Sequence, residues 1–118
     1  MSENTESDGQ TAEKAKSIYK EGFQLFVKGD VEAAIARYRD AIDLEPTLAI
    51  AWNGLSMALA KQGDLDAAVE AAEKLIEIEP DDPLSHTNLS RILMQKGMIP
   101  EAEDARAKAM GLQMKQGS

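Results

Sequence analysis

His86 is the only imidazole in a chain of 118 residues that contains no cysteine. An imidazole with no second histidine and no thiolate lacks the partners of a nitrogen–sulfur metal site, so a packed structural role is expected for it. Asp64 and Asp66 stand two residues apart, a spacing met in calcium loops, but the glycine and distal ligands of such a loop do not follow. Capping of the next helix accounts for Asp64. Glu70, Glu73 and Glu77 recur at helical spacing, which puts three carboxylates on adjoining turns. Acid–base catalysis needs a cleft that perturbs one of them, and nothing in the sequence builds one, so a solvated face is expected. There is no glycine-rich phosphate loop, and no base can be placed beside a serine to make a nucleophile. The expectation is a protein with no catalytic residues, no metal and no cofactor.

Composition narrows the partners. The chain holds 13 basic and 21 acidic residues, a net charge of −8, which argues against a bulk electrostatic hold on nucleic acid or anionic lipid. Half of that charge sits in residues 1–13, which carry Glu3, Glu6, Asp8 and Glu13 and no base. This polar segment shows no periodic apolar face and is expected to be a disordered acidic tail, with helix from about residue 14. The start has neither a basic stretch nor an apolar run, so no signal peptide is expected. No stretch approaches the ~20 apolar residues of a membrane span, and a cytoplasmic location is expected. Scarce aromatics and abundant alanine favour packed helices over sheets.

Helices are also what the register demands. Gly29, Gly63 and Gly97 are spaced by 34, as are Ala34, Ala68 and Ala102, and Leu25, Leu59 and Leu93. Leu44, Ile78 and Leu112 follow the same spacing, as do the small residues Gly22, Ser56 and Ser90, and the pair Pro46 and Pro80. A fixed period of this length marks a stack of supersecondary units. Each unit reads as two helices: about 14–28 and 31–45, 48–62 and 65–79, 84–96 and 99–113. The glycines supply left-handed C′ residues, Asp30 and Asp64 cap the second helices, and Pro46 and Pro80 stop two of them. Met98 takes the third cap position without an acceptor side chain. Expected core fillers are Ile18, Leu25, Ile35, Tyr38, Ile42, Leu44, Trp52, Leu59, Val69, Ile76, Ile78, Leu93, Met110 and Leu112.

These residues together resemble the tetratricopeptide repeat: a 34-residue helix-turn-helix with small residues at the helix crossing, a Gly-Asp turn and a closing proline. The resemblance covers about 15–114, with units about 15–48, 49–82 and 83–116 and a frayed end at 115–118. The second unit matches best, through Trp52, Leu55, Gly63, Asp64, Ala68 and Pro80. The third departs, with His86 in the place of Trp52, Met98 for the capping Asp and Met114 for the closing Pro. The implied fold is all-α, a right-handed superhelix (alpha-solenoid) of three repeats. Both ends read as finished. Glu21 and Gln24 replace the apolar pairs Leu55, Ala58 and Leu89, Ile92, and Glu103 and Arg106 replace Ile35, Tyr38 and Val69, Ala72.

In such a superhelix the first helices line the concave face. The inward positions implied are Lys16, Tyr19, Phe23 and Phe26, then Ile50, Asn53, Met57 and Ala60, then Leu84, Thr87, Arg91 and Met94. This lining is unusually apolar for a surface, and contiguous apolar patches mark binding sites. Methionines add adaptability. Asn53 is placed to bond a ligand backbone and Arg91 to hold a carboxylate, while Phe26 is as well suited to filling the groove from within. Family members that clamp the C-terminal carboxylate of heat-shock chaperones do so with Lys, Asn and Arg. The matching places here hold Tyr19, Phe23, Gly54, Leu84 and Asn88, so that clamp is absent. The expected function is a non-enzymatic adaptor that binds a short apolar or amphipathic peptide of another protein. The alternatives are a small chaperone of the type III secretion kind that shields hydrophobic client segments, and self-assembly through the same strip by an otherwise monomeric protein.

Overall fold

A computed structural model describes residues 2–117 of the chain, with side-chain burial defined from Gly9. Met1 of the expected tail and Ser118 of the expected frayed end lie outside the described residues. Six helices follow one another among those described: α1 (Ser2–Val27), α2 (Val31–Leu44), α3 (Ala49–Gln62), α4 (Leu65–Ile78), α5 (Pro83–Lys96) and α6 (Ile99–Gln116). None of them is long and apolar enough to cross a membrane.

The turns inside the units form as the glycine register demands. Gly29, Gly63 and Gly97 adopt φ values of +91°, +94° and +88°, where a side chain would be strained. Their N–H groups bond Phe26, Ala60 and Met94 carbonyls, closing each first helix. Asp30 accepts from the Ala33 N–H and Asp64 from the Ala67 N–H, whereas Met98 makes no such bond. Each side-chain cap is worth about 1 kcal/mol.

The turns between units are held by a pair of rings. Trp52 Nε1 donates to the Pro46 carbonyl at 2.7 Å. His86 Nε2 lies 2.8 Å from the Pro80 carbonyl. Both contacts stand in the same register. A carbonyl only accepts, so the His86 proton sits on Nε2. His86 is therefore a buried turn anchor, as expected of a structural histidine.

Packing is tightest along the path of the chain, α1 on α2, α2 on α3, and so on to α6. In addition α1 touches α3 and α3 touches α5, while among the described residues α2 and α4 make no such contact, nor do α4 and α6. A stack that closes on one side and splays on the other is curved. The face of α1, α3 and α5 is therefore the inner one. Its core runs through Ala34, Ile35, Tyr38, Leu55, Ala58, Leu59, Ala68, Ala71, Ala72 and Ile92.

Three expectations shift. Met110, expected inside, is 52% exposed. It occupies the place of Ile42 and Ile76, which a following unit half-covers, and among the described residues no helix follows α6. Second, α1 starts at Ser2 and not near 14, so the helix runs on through the proline-free segment expected to be a disordered tail. Ala15 is its first fully buried residue among those whose burial is described. Third, α6 runs past 113 to Gln116, whose Nε2 donates to the Asp81 carbonyl at 2.9 Å and pins the last turn to the α4–α5 junction.

Candidate functional site

The inner face carries the apolar strip. Phe23, Ile50, Met57, Leu84 and Met94 are all large hydrophobic residues left exposed there, by 39–69%. The helical period explains their alignment, because residues three or four apart share a face. Tyr19 is half-buried and stacks on Phe23 at 6.3 Å and on Tyr38 at 5.6 Å. Phe26 is half-buried against the core and also walls two recesses, so it both fills and lines the groove.

Two depressions give the strip its relief. One, of about 260 Å³, is walled by Phe26, Met57, Ala60 and Ile92, with Lys61, Asn88, Arg91 and Gln95 around it. The other, of about 300 Å³, is walled by Ala49, Ile50, Leu75 and Leu84, with Glu79 and Asp82 at its edge. A smaller recess, lined by Tyr19, Phe23, Phe26, Tyr38, Asn53, Gly54 and Met57, shares residues with both. A larger depression, about 510 Å³, lies elsewhere, in the splayed gap between α2 and α4. Its rim of Arg39, Asp43, Glu70 and Lys74 carries two charges of each sign, and its floor is the core pair Leu55 and Leu59.

Polar residues of the strip are more occupied than their types suggest. Asn53 Oδ1 accepts from Asn88 Nδ2 at 3.0 Å, and the same amide donates to Ser56 Oγ at 2.7 Å. The Asn53 amide hydrogens make no bond among the described residues. Thr87 Oγ1 donates back to the Pro83 carbonyl of its own helix. Arg91 is exposed and makes no ion pair among the described residues. Sequence reasoning named Asn88 at a clamp position but left it out of the groove lining, and it missed Lys61 and Val27, which is 68% exposed beside Phe23. A hint was present for Asn88: it stands 34 residues after Gly54, where a side chain is missing.

The ring of Tyr38 explains that gap. A Cβ on Gly54 would fall 2.7 Å from Tyr38 Cζ, and one on Gly22 would fall 2.9 Å from its ring edge. Two glycines thus form the slot for one tyrosine, and no clamp asparagine fits at 54. Burial, and secondarily the neighbouring Tyr19 hydroxyl, push the Tyr38 hydroxyl up to about 12, and burial also raises that of Tyr19.

A family model described as "Tetratricopeptide repeat" matches residues 19–83, more than half of the chain, and a second model of the same description matches 59–110. The chain belongs to the tetratricopeptide repeat family. No curated protein is matched by sequence. Among solved structures, MamA is 29% identical with a TM-score of 0.83 over 87% of this chain. The chain spans 60% of the MamA chain's length. The Yersinia enterocolitica type III secretion chaperone SycD, solved with a peptide of the translocator YopD, is 21% identical. Its TM-score is 0.80 over 85% of this chain and 76% of its own. The first tetratricopeptide repeat domain of Spaghetti (RPAP3), bound to the HSP90 peptide SRMEEVD, is 15% identical. Its TM-score is 0.82 over 86% of this chain and 80% of its own. The last two likenesses concern the fold. In the frame of the repeat, α1, α3 and α5 are the first helices of three units, and the exposed apolar strip lies on their shared concave face.

Proposed function

We propose that this tetratricopeptide repeat domain is a protein-interaction module that holds an apolar or amphipathic segment of a partner protein in its concave groove. One observation carries the reading: Phe23, Ile50, Met57, Leu84 and Met94 stay exposed on a single inner face while the alanines beneath them are fully buried. Leaving such a strip in water costs roughly 25 cal/mol per Å² of apolar area, and a partner that covers it recovers that term. That RPAP3 and SycD are described with peptides is in keeping with this use of the fold. The groove is short, so modest affinity is expected unless tethering adds avidity.

The chaperone reading uses the same strip and is favoured by its methionines, which adapt to varied segments. The two are separated by asking whether the domain keeps an aggregation-prone client soluble or joins two folded proteins. The test of the shared reading is capture of partners from source-cell lysate by wild type beside Phe23→Glu and Met57→Glu, with helicity checked by circular dichroism. Both variants keep their fold, because both side chains are exposed, and both lose the partner. Equal capture by folded variants would move the site off the groove.

A further inference from the structure

The groove changes sign across its width. Resting on the groove reading above, we infer that the segment it accepts places a carboxylate side chain beside a bulky apolar one, seated in the depression of Phe26, Met57 and Ile92 between Lys61 and Arg91. Its opposite flank, which meets Glu79 and Asp82, carries no acid and favours a basic residue.

The depression of about 260 Å³ falls just below the ~300–1,000 Å³ of small-molecule sites, a size suited to side chains. Its lining holds two cations and no acid, in a body rich in acids. Ion pairs hold Lys96 to Asp66, Lys74 to Glu77, and Arg37 to Asp40 and Glu21, and most other basic residues are unpaired among the described residues. Lys61 and Arg91 enter no ion pair among the described residues. Lys61 lies in the last turn of α3, where a cation also complements the helix dipole. That account does not extend to Arg91, which sits inside α5, well short of its end at Lys96. The companion depression of about 300 Å³ has apolar walls of the same kind, but its charged residues are Glu79 and Asp82 and it holds no cation. Asp82 also accepts from the Leu84 N–H, which leaves its charge in place. An apolar segment without charge would gain nothing from either edge. An acid gains at one edge and is repelled at the other, so opposite edges fix which way round the segment lies.

The experiment selects short random peptides by display on the wild-type protein and measures an enriched peptide by fluorescence anisotropy. Expected is enrichment of an acid next to a bulky apolar residue. The double variant Lys61→Glu with Arg91→Glu should weaken binding about tenfold and remove most of its salt dependence between ~0.05 and ~0.5 M NaCl. Replacing the peptide's acid by its amide should weaken wild-type binding and leave the double variant indifferent. Enriched peptides that lack acids, or that bind the double variant as wild type while losing affinity for Met57→Glu, would overturn this inference and leave the groove standing. Peptides that bind Met57→Glu as well as wild type, or no enrichment at all, would overturn the groove reading and this inference with it.

Discussion

The junction of the first and second units and that of the second and third solve one packing problem in opposite ways. At the first, the large residue is Tyr38 on α2, and the facing helix α3 makes room with Gly54. One repeat later the sizes are exchanged: Ala72 stands in the place of Tyr38, and Asn88 in the place of Gly54. Both are buried, but one junction is filled by an aromatic ring and the other by an amide. An aromatic ring needs only shape. A buried amide needs partners, and Asn88 has them in Asn53 and Ser56. Equivalent positions in a repeat thus exchange the larger and the smaller residue across a junction, and the chemistry that fills it is free to differ.

The largest test is Tyr38→Ala, which empties the two-glycine slot and is expected to cost about 3–5 kcal/mol in chemical denaturation. Gly54→Asn imports the residue of the next repeat and is expected to cost about 1–3 kcal/mol, because the Tyr38 ring has nowhere to go. Combined, the two should cost at least ~1 kcal/mol less than their sum. Strict additivity would show that the positions do not share a volume and would end the comparison.

The polar junction is broken by Asn88→Leu. Asn53 Oδ1 then loses its donor, and a loss of about 1–3 kcal/mol in the same assay is expected. A neutral outcome would mean that shape alone matters at both junctions.

Alkali should distinguish the two. The Tyr38 hydroxyl, raised to about 12 from an ordinary 10, binds its proton more tightly when folded. Its contribution is therefore complete below pH 10 and is lost as the pH rises toward 12. Denaturation midpoints across that window should fall more steeply for wild type than for Tyr38→Phe, while Asn88→Leu leaves the slope unchanged. Equal slopes in wild type and Tyr38→Phe would show that the phenol is not desolvated by folding.

The smallest effect expected is a gain. Met98→Asp gives the third unit the cap of the second and should raise stability by about 0.5–1 kcal/mol, read as a higher Tm. No change would place the weakness of the third unit elsewhere than in its cap.

Much of this was legible in order. The glycine register located every turn inside a unit, because a left-handed C′ residue is a local demand of the backbone. Periodicity alone put Phe23, Ile50, Met57, Leu84 and Met94 on one face, since 3.6 residues per turn fixes the side on which a residue lies. His86 was legible as structural, for want of any chemical partner. Which residues of that face stay open was not legible, because burial depends on what lies across the stack. Phe26 and Phe23 sit on the same helix face, yet only Phe26 reaches the core. Thr87 turned back to its own helix, and Met110 came out into solvent.

Residue order by itself determined the repeat, its caps and the apolar face, all of which follow from interactions within about one helical turn or one turn motif. Only the tertiary structure decided that Tyr38 claims the space of Gly22 and Gly54, that Asn88 ties α5 to α3, and that Lys61 and Arg91 flank one depression. Each of those joins residues from different helices, and the angle at which helices stack is set by the sum of many side-chain volumes.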